Sequence, residues 1–287
     1  MKCVVAHEPQ TAEMNHKTFT GFEVSRWSNG RSRQVAEQVA EEEAVALEYN
    51  GTTHAVMLAS PADLEDFAIG FSLTEGIVTD LSELYDIEIE AREHGISVRL
   101  HIAARAFASL KERRRSLVGR TGCGLCGAES LEQVYRVPAA VTSVSRHRPR
   151  SLRSGFEQLR AGQILMQNTG ATHAAGWLDS QGRLGLIRED VGRHNALDKL
   201  IGALTRSRCD FNQGGLLVTS RASYEMVLKA ASVGIGFLAA ISAPTALAIR
   251  LAEETNVTLV GFARDDCFVV YSHPERLHER LVYGAEP

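Results

Sequence analysis

The sequence predicts an α/β protein: a larger C-terminal α/β domain at residues 151–287 behind a smaller N-terminal α+β domain at residues 44–110. Three observations predict it. From about residue 151, short apolar runs of strand character alternate with helical patterns, which implies a mostly parallel sheet covered on both faces by helices. Between 44 and 110, two alternating runs flank Asn50-Gly51, a strong hairpin signal. Between the two domains the chain loses any clear period and turns rich in Ser, Arg and Pro from Thr142 to Arg150, so residues 111–150 read as a connecting region.

Residues 1–43 form a polar N-terminal segment with an acidic run at Glu41, Glu42 and Glu43, and the first twenty are expected to be poorly fixed. Val45, Leu47 and Tyr49 alternate as one strand, and Thr53 to Leu58 as the next. Ser60-Pro61 then opens a helix: Ser60 suits the cap, Pro61 the first position, and Asp63 the positive end. Leu64, Phe67, Ala68 and Phe71 follow at helical spacing, and Tyr85–Glu90 and Ile96–Ile102 read as two strands. In the C-terminal part, Phe156–Met166 is predicted helical, and Ala174–Leu178 with Leu184–Arg188 forms a hairpin across Ser180-Gln181-Gly182. Helices follow at His194–Leu204, Tyr224–Ser232 and Thr245–Glu254, with strands at Gly215–Thr219, Phe237–Ile241, Thr258–Phe262 and Phe268–Tyr271. The order α-β-β-α-β-α-β-α-β fits a cytidine-deaminase-like three-layer sandwich.

The chain has 287 residues, 44% of them hydrophobic and 23% charged, ordinary for a soluble globular protein. A formal net charge of −4 gives no support to generic nucleic-acid binding. The run Arg113, Arg114, Arg115 is a local exception, read first as a solvated helix face or loop and second as a docking patch. No apolar run is long enough to span a bilayer, and Met1–Ala6 lacks the apolar core of a signal peptide, so a cytoplasmic location and no membrane association are expected. Five scattered cysteines (Cys3, Cys123, Cys126, Cys209 and Cys267) argue against a disulfide framework.

The strongest chemical signal is Gly122-Cys123-Gly124-Leu125-Cys126-Gly127. Two thiols at this spacing can share a sulfur, resolve a persulfide or bind a metal, and the glycines let the loop move between donor and acceptor. Arg120 favours the nucleophilic thiolate. Structural zinc wants four ligands, and the chain has no second C-x-x-C and no H-x-x-x-H, so no metal is expected. A thioredoxin-type dithiol follows a strand and opens a helix, whereas this motif follows an irregular basic stretch. The second signal is Arg188 to Lys199, which crowds charge at a strand end and helix start and includes Arg193 and His194, read first as a ligand site and second as a helix entry dressed with surface charges. Third is Thr219 to Glu225, where Ser220, Arg221 and Ser223 make either an anion site or a simple N-cap. Fourth is Gly261 to Asp266, read first as a surface turn between two strands and second as a site where Arg264 meets a phosphate and an acid accepts from a guanine edge. The zinc-deaminase residues H-x-E and P-C-x-x-C are absent where the strand order would put them, at His194-Asn195-Ala196 and Ser220 to Ser223. A zinc-free deaminase-like scaffold offering its cleft to a nucleotide is the resulting hypothesis. No Walker A loop and no G-x-S-x-G elbow occur.

Taken together, Asp66 to Gly76, the Arg120 to Gly127 loop, Thr172 to Ala175, Arg188 to Lys199, Ser220 to Met226 and Ile241 to Thr245 resemble the formate dehydrogenase accessory sulfurtransferase family over about Glu48 to Tyr271. The resemblance implies a homodimeric sulfur carrier. It would accept a persulfide from a cysteine desulfurase on Cys123, assisted by Cys126, and pass the sulfur to the molybdenum of the bis(molybdopterin guanine dinucleotide) cofactor before insertion into the formate dehydrogenase catalytic subunit. It implies that the cofactor, or GDP or a related guanine nucleotide, binds the turn Phe262, Ala263, Arg264, Asp265, Asp266 and Cys267, with Arg193, His194, Ser220 and Arg221 as further candidates. Cys267 itself is expected to be a small buried hydrophobe. Two rivals remain: an assembly chaperone that only binds the cofactor, and a dithiol oxidoreductase.

Overall fold

Asn-Gly turns organise the front of the chain. The computed structural model describes residues 17–115, 137–264 and 267–278. Strands β1 (Phe19–Ser28) and β2 (Arg31–Ala40) form an antiparallel ribbon in unbroken register from Phe19↔Ala40 to Ser28↔Arg31. Asn29 (φ 51°) and Gly30 (φ 72°) make its turn, both left-handed as a two-residue hairpin requires. Sequence reading treats residues 1–43 as a polar segment. The structure replaces that with a ribbon from residue 19, and the overlooked signal is Asn29-Gly30 between the alternating Phe22, Val24 and Val35. Asn50 (φ 46°) and Gly51 (φ 78°) repeat the device between β3 (Glu43–Tyr49) and β4 (Thr52–Ala59), as expected.

With β5 (Leu84–Arg92) and β6 (Gly95–Ile102) these strands form a four-stranded sheet, β4-β3-β6-β5, in which β3 and β6 are parallel and the outer pairs antiparallel. One face supplies Val45, Leu47, Tyr49, Val98 and Leu100 to a core completed by Leu64, Phe67 and Phe71 of helix α1 (Leu64–Thr74) and by Ala106 and Leu110 of α2 (Ala104–Arg115). Two expectations are corrected here. The first helix does not begin at Ser60-Pro61 but at Leu64, with Asp63 at the cap in a left-handed conformation (φ 53°). Ser60 is held elsewhere, by Asp190 and Lys199. Residues 111–115, read as part of the connection, are the last turn of α2. There Arg113 donates to the carbonyls of Glu75 and Gly76 and so closes the C-terminus of α1.

The remaining elements follow the predicted order: α3 (Pro149–Gly162), α4 (Ile164–Thr169), β7 (His173–Asp179), β8 (Leu184–Asp190), α5 (Arg193–Arg206), β9 (Gly214–Val218), α6 (Tyr224–Ser232), β10 (Phe237–Ala240), α7 (Ala246–Glu254), β11 (Thr258–Arg264) and β12 (Cys267–Ser272). The single helix expected at Phe156–Met166 is two, interrupted at Gln163, whose ψ of 81° is not helical. The six strands pair in the order β12-β11-β10-β9-β7-β8, with β9–β10 and β10–β11 parallel and β11–β12 antiparallel. The result is a mixed α/β fold with several sheets and, among the described residues, seven α-helices. None of these is long and apolar enough to cross a membrane.

Contacts gather the chain into two units. The first comprises Met1–Arg136, Gln163–Ala175 and Arg188–Arg208; the second comprises Val137–Gly162, Gly176–Ile187 and Cys209–Pro287. The boundaries read from composition follow the chain, whereas these units follow packing, so α4 and α5 group with the N-terminal strands. In the second unit α3 reaches the sheet through Gly155, where a Cβ would stand 2.6 Å from Leu217 and 3.0 Å from Leu178.

Candidate functional site

Cys123 and Cys126, the predicted sulfur-bearing pair, lie outside the described residues, as do Asp265 and Asp266. The other predicted site residues fall in both units: Arg193 and His194 in the first, and Ser220, Arg221, Phe262, Ala263, Arg264 and Cys267 in the second.

In the first unit, much of the charge-rich stretch Arg188 to Lys199 is structural. Asp190 and Lys199 are both fully buried and form an ion pair of 2.7 Å. One oxygen of Asp190 accepts from Gly192 N (2.7 Å) and Asn195 Nδ2 (2.9 Å), the other from Ser60 N (3.0 Å) and Lys199 Nζ. Lys199 Nζ also donates to Ser60 O (2.9 Å), Val191 N donates to Ser60 Oγ (3.1 Å), and Asn195 Nδ2 donates to Leu58 O (2.8 Å). A buried carboxylate tolerates this site because each of its oxygens has two donors. The hub locks the β4–α1 junction onto the β8–α5 junction.

The neighbours are equally committed. Arg188 places Nε (2.9 Å) and Nη2 (2.7 Å) on Asp66, whose other oxygen takes Arg206 Nη1 (2.9 Å). Glu189 accepts from Leu165 N and Met166 N, the first amides of α4, and from Thr172 Oγ1. A carboxylate at those amides satisfies donors that a helix start leaves unpaired. Helices α1 and α5 meet backbone to backbone. A Cβ on Gly70 would lie 1.8 Å from Asp198 O, and one on Gly202 would lie 1.9 Å from Asp66 O. Thr74 Oγ1 donates to Asp198 Oδ1 beside this contact (2.8 Å).

Arg193 and His194 stand apart from that framework, half-exposed in the first turn of α5. The buried Nε of Arg193 has no hydrogen-bond partner among the described residues. His173 lies in their field: burial first, then the charges of Arg193 and His194, push its pKa below the usual histidine value, against the pull of Asp190. The arrangement suits an anion that supplies the acceptor Arg193 lacks.

In the second unit, three turns follow the carboxyl ends of parallel strands β9, β10 and β11, the position where open α/β sheets bind ligands. The turn after β10 ties them together. Thr245 N donates to Ala222 O (3.1 Å), Ala222 and Pro244 form an isolated parallel bridge, Phe262 N donates to Ser242 O (3.3 Å), and Arg264 Nε donates to Ile241 O (3.1 Å). Gly261 permits this approach, since a Cβ there would meet Pro244 at 2.8 Å. Phe262 is the unusual member: an aromatic residue in the left-handed region (φ 53°), 46% exposed, at a strand end. Such backbone strain in a non-glycine residue gathers at ligand sites. Arg221 and Arg264 are exposed nearby in sequence to these ties, whereas Ala263 is buried. Neither serine of the third motif acts as the expected side-chain cap. Ser220 Oγ donates to Arg221 O (3.0 Å), and Ser223, although at the N-cap of α6, makes no cap bond; its buried Oγ has no partner among the described residues. Cys267 is a free, exposed thiol, which corrects the expectation of a buried one. It pairs in register with Arg264, which turns it outward at the first position of β12. An aromatic face, two guanidiniums and an unsatisfied hydroxyl are the equipment for a nucleotide: a base to stack and phosphates to bind.

Sequence reading did not anticipate His147. It is buried, its ring packs on Phe237 with centroids 4.3 Å apart, and burial pushes its pKa down to about 4.

Comparison with known proteins adds the following. The FdhD/NarQ family matches residues 40–278. The chain is 59% identical to a protein of Cupriavidus necator named sulfur carrier protein FdhD, over 97% of this chain and 98% of that one. It is 56% identical to a protein of the same name from Bordetella petrii, over 85% and 88%. Its fold is similar to a crystal structure from Desulfotalea psychrophila provisionally described as a formate dehydrogenase accessory protein, with a TM-score of 0.71 at 24% identity, covering 91% of this chain and all of that one.

Proposed function

The chain belongs to the FdhD/NarQ family, and on that premise we propose that it is a cytoplasmic sulfur carrier serving formate dehydrogenase maturation. Cys123 takes the sulfane sulfur from the persulfide of a cysteine desulfurase and, with Cys126, delivers it to the molybdenum of the bis(molybdopterin guanine dinucleotide) cofactor. The observation that carries this is the near full-length identity of 59% to a named sulfur carrier, together with the Gly-flanked cysteine pair.

The chemistry is thiolate exchange. The Cys123 thiolate attacks the outer sulfur of the donor persulfide; a new S–S bond forms as the donor's S–S bond breaks, and the donor cysteine leaves as thiolate. On delivery the outer sulfur passes to the molybdenum as sulfide. The Cys126 thiolate attacks the inner sulfur of Cys123, so the pair is left as a disulfide that a dithiol reductant returns to thiols. Molybdenum held by dithiolene sulfurs accepts a soft ligand of this kind. The acceptor is a substrate with two guanine nucleotide arms. Its recognition is assigned to Phe262, Ala263, Arg264, Asp265, Asp266, Cys267, Ser220 and Arg221, with Arg193 and His194 as a separate anion contact. The exposed Phe262, the guanidiniums of Arg221 and Arg264, and the unsatisfied Ser223 hydroxyl support this assignment. The cytidine-deaminase-like layering of the C-terminal α/β part is proposed on the same footing.

Intact-protein mass spectrometry after incubation with an active cysteine desulfurase and cysteine tests the reading. A reducible gain of about 32 Da on the peptide holding Cys123 and Cys126 is expected for a persulfide. No gain with demonstrably active desulfurase, or full formate dehydrogenase maturation by Cys123→Ala, rejects sulfur transfer and leaves the cofactor-binding chaperone.

A further inference from the structure

Residues 141–148 of the second unit run up to the start of α3 and show a strict period of two. Val141, Ser143, Ser145 and His147 are buried, each at 5% exposure or less, while Thr142, Val144, Arg146 and Arg148 are exposed, Val144 by 74%. That alternation is the mark of an extended strand. Hydrogen bonds follow the same parity. Val141 N donates to Thr255 O (2.9 Å), and Val141 O accepts from Asn256 Nδ2 (2.7 Å). Ser143 O accepts from Arg276 Nη2 (3.2 Å), His147 N donates to Arg276 O (2.8 Å), and His147 O accepts from His278 N (3.2 Å). The backbone groups of Thr142, Val144 and Arg146 make no hydrogen bond to any described residue. Alternate residues of a strand direct their N–H and C=O to opposite edges. One edge here is tied to the unit and the other is open.

The exposed side chains beside that edge are positive. Arg146 and Arg148 stand one strand repeat apart, about 7 Å, and the exposed Arg150 follows in the first turn of α3. None of the three forms an ion pair or a side-chain hydrogen bond with a described residue. By contrast, Arg153, Arg183 and Arg188 are paired with Glu157, Asp179 and Asp66. Helix α3 adds to the same field, since its first turn holds no acidic residue although a helix start favours negative charge.

We propose that this edge is a docking site for an extended acidic segment of a partner protein, which adds as a strand with its carboxylates over Arg146, Arg148 and Arg150 and an apolar side chain beside Val144. The open edge decides the class of partner, because a peptide backbone exchanges N–H and C=O bonds with it. A nucleic acid meets the guanidiniums but offers nothing to the edge, and the chain as a whole carries a net charge of −4. The arginines decide the sign. Charged residues along an edge keep like edges apart, so the same edge of a second copy would bring arginine to arginine, whereas alternating carboxylates match the row. Backbone bonds supply the affinity and the alternating side chains the specificity. The inference rests on the second unit alone and is independent of the sulfur-carrier reading.

Fluorescence anisotropy of the full chain with a short labelled peptide tests it. The peptide alternates glutamate and threonine around a central valine, and its control carries lysine for glutamate. Saturable binding of the glutamate peptide with a dissociation constant below about 1 mM is expected, and the lysine peptide is expected to bind at least about 10-fold more weakly. Arg146→Glu/Arg148→Glu, at two exposed positions, is expected to weaken the glutamate peptide by about 10- to 100-fold and to reverse the preference toward the lysine peptide. Val144→Pro takes one amide from the edge at an exposed site and is expected to weaken binding about 5- to 10-fold with far-UV circular dichroism unchanged. No saturable binding below about 1 mM, equal binding of the two peptides, or full binding by Val144→Pro overturns the proposal. Displacement of the peptide by a lower concentration of an oligothymidylate of equal charge overturns the protein partner in favour of a nucleic acid.

Discussion

Replacing Gly70 by alanine sets two forces against each other with opposite signs. In an isolated helix the change is favourable by about 1 kcal/mol, because alanine loses less backbone entropy. In α1 the new methyl carbon would sit 1.8 Å from the carbonyl oxygen of Asp198, and real Cβ contacts do not fall below 3.0 Å, so the α1 and α5 backbones must part by at least the difference of 1.2 Å. Nothing flexible can yield, since the obstacle is main chain. Parting by that amount stretches the 2.8 Å Thr74–Asp198 and 2.9 Å Arg206–Asp66 bonds beyond useful length. Overpacking costs about 1–3 kcal/mol and each weakened bond about 1 kcal/mol, so after the propensity gain a net loss of about 2–4 kcal/mol is expected. Urea denaturation followed by far-UV circular dichroism measures it, as a lower midpoint at unchanged slope. Gly202→Ala makes the reciprocal clash, 1.9 Å from Asp66 O. Because one separation relieves both clashes, the double variant is expected to lose less than the sum of the singles. A Gly70→Ala protein as stable as the wild type, or strict additivity, refutes the backbone-contact account.

Lys199→Met leaves the buried Asp190 carboxylate without its cation and is expected to cost about 3–5 kcal/mol; Asp190→Leu/Lys199→Met together is expected to recover much of that loss, read by the same denaturation. Tyr49→Phe removes the hydroxyl that meets Ser72 Oγ at 2.8 Å. Ser72 spends its own proton on Ala68 O, so only an acceptor is left over, and the loss is expected near 1 kcal/mol. His147 has a folded pKa of about 4 against an ordinary 6.5. The unfolded chain therefore takes up its proton first. Its contribution, up to about 3 kcal/mol, is complete above pH 6.5 and is lost as pH falls toward 4. His147→Phe is expected to flatten the stability–pH curve over that window, and an unchanged slope rejects the assignment.

Periodicity located the strands from Glu43 onward and most of the helices, because an apolar face shows itself within ten residues, but it missed the helix Ala104–Arg115 and the break that makes Ile164–Thr169 a separate helix. The helix start at Leu64 was misread because Ser60-Pro61-Ala62-Asp63 is a good local cap, while its true partners, Asp190 and Lys199, are 130 and 139 residues away. The charges of Arg188 to Lys199 were legible as a cluster but not as a buried framework; only the fold shows that Asp190 and Lys199 pair in the interior. The turns after β9, β10 and β11 were legible as strand ends, whereas the left-handed backbone at Phe262 and the exposure of Cys267 depend on how β11 bends into β12. The ribbon was legible and overlooked, since its polar residues hid an Asn-Gly turn.

That long-range hub also sets a timetable. Helix α1 ends at Thr74, yet the glycine face that covers it and the arginine that pairs Asp66 from α5 are not synthesised until Gly202 and Arg206. At about 5–20 residues per second, the ribosome takes roughly 7–26 s over that stretch. Residues 123 and 126 are synthesised inside that interval. A nascent chain stalled before residue 193 would thus carry α1 without its partner helix, and any fragment ending there is expected to be a substrate for chaperones and proteases.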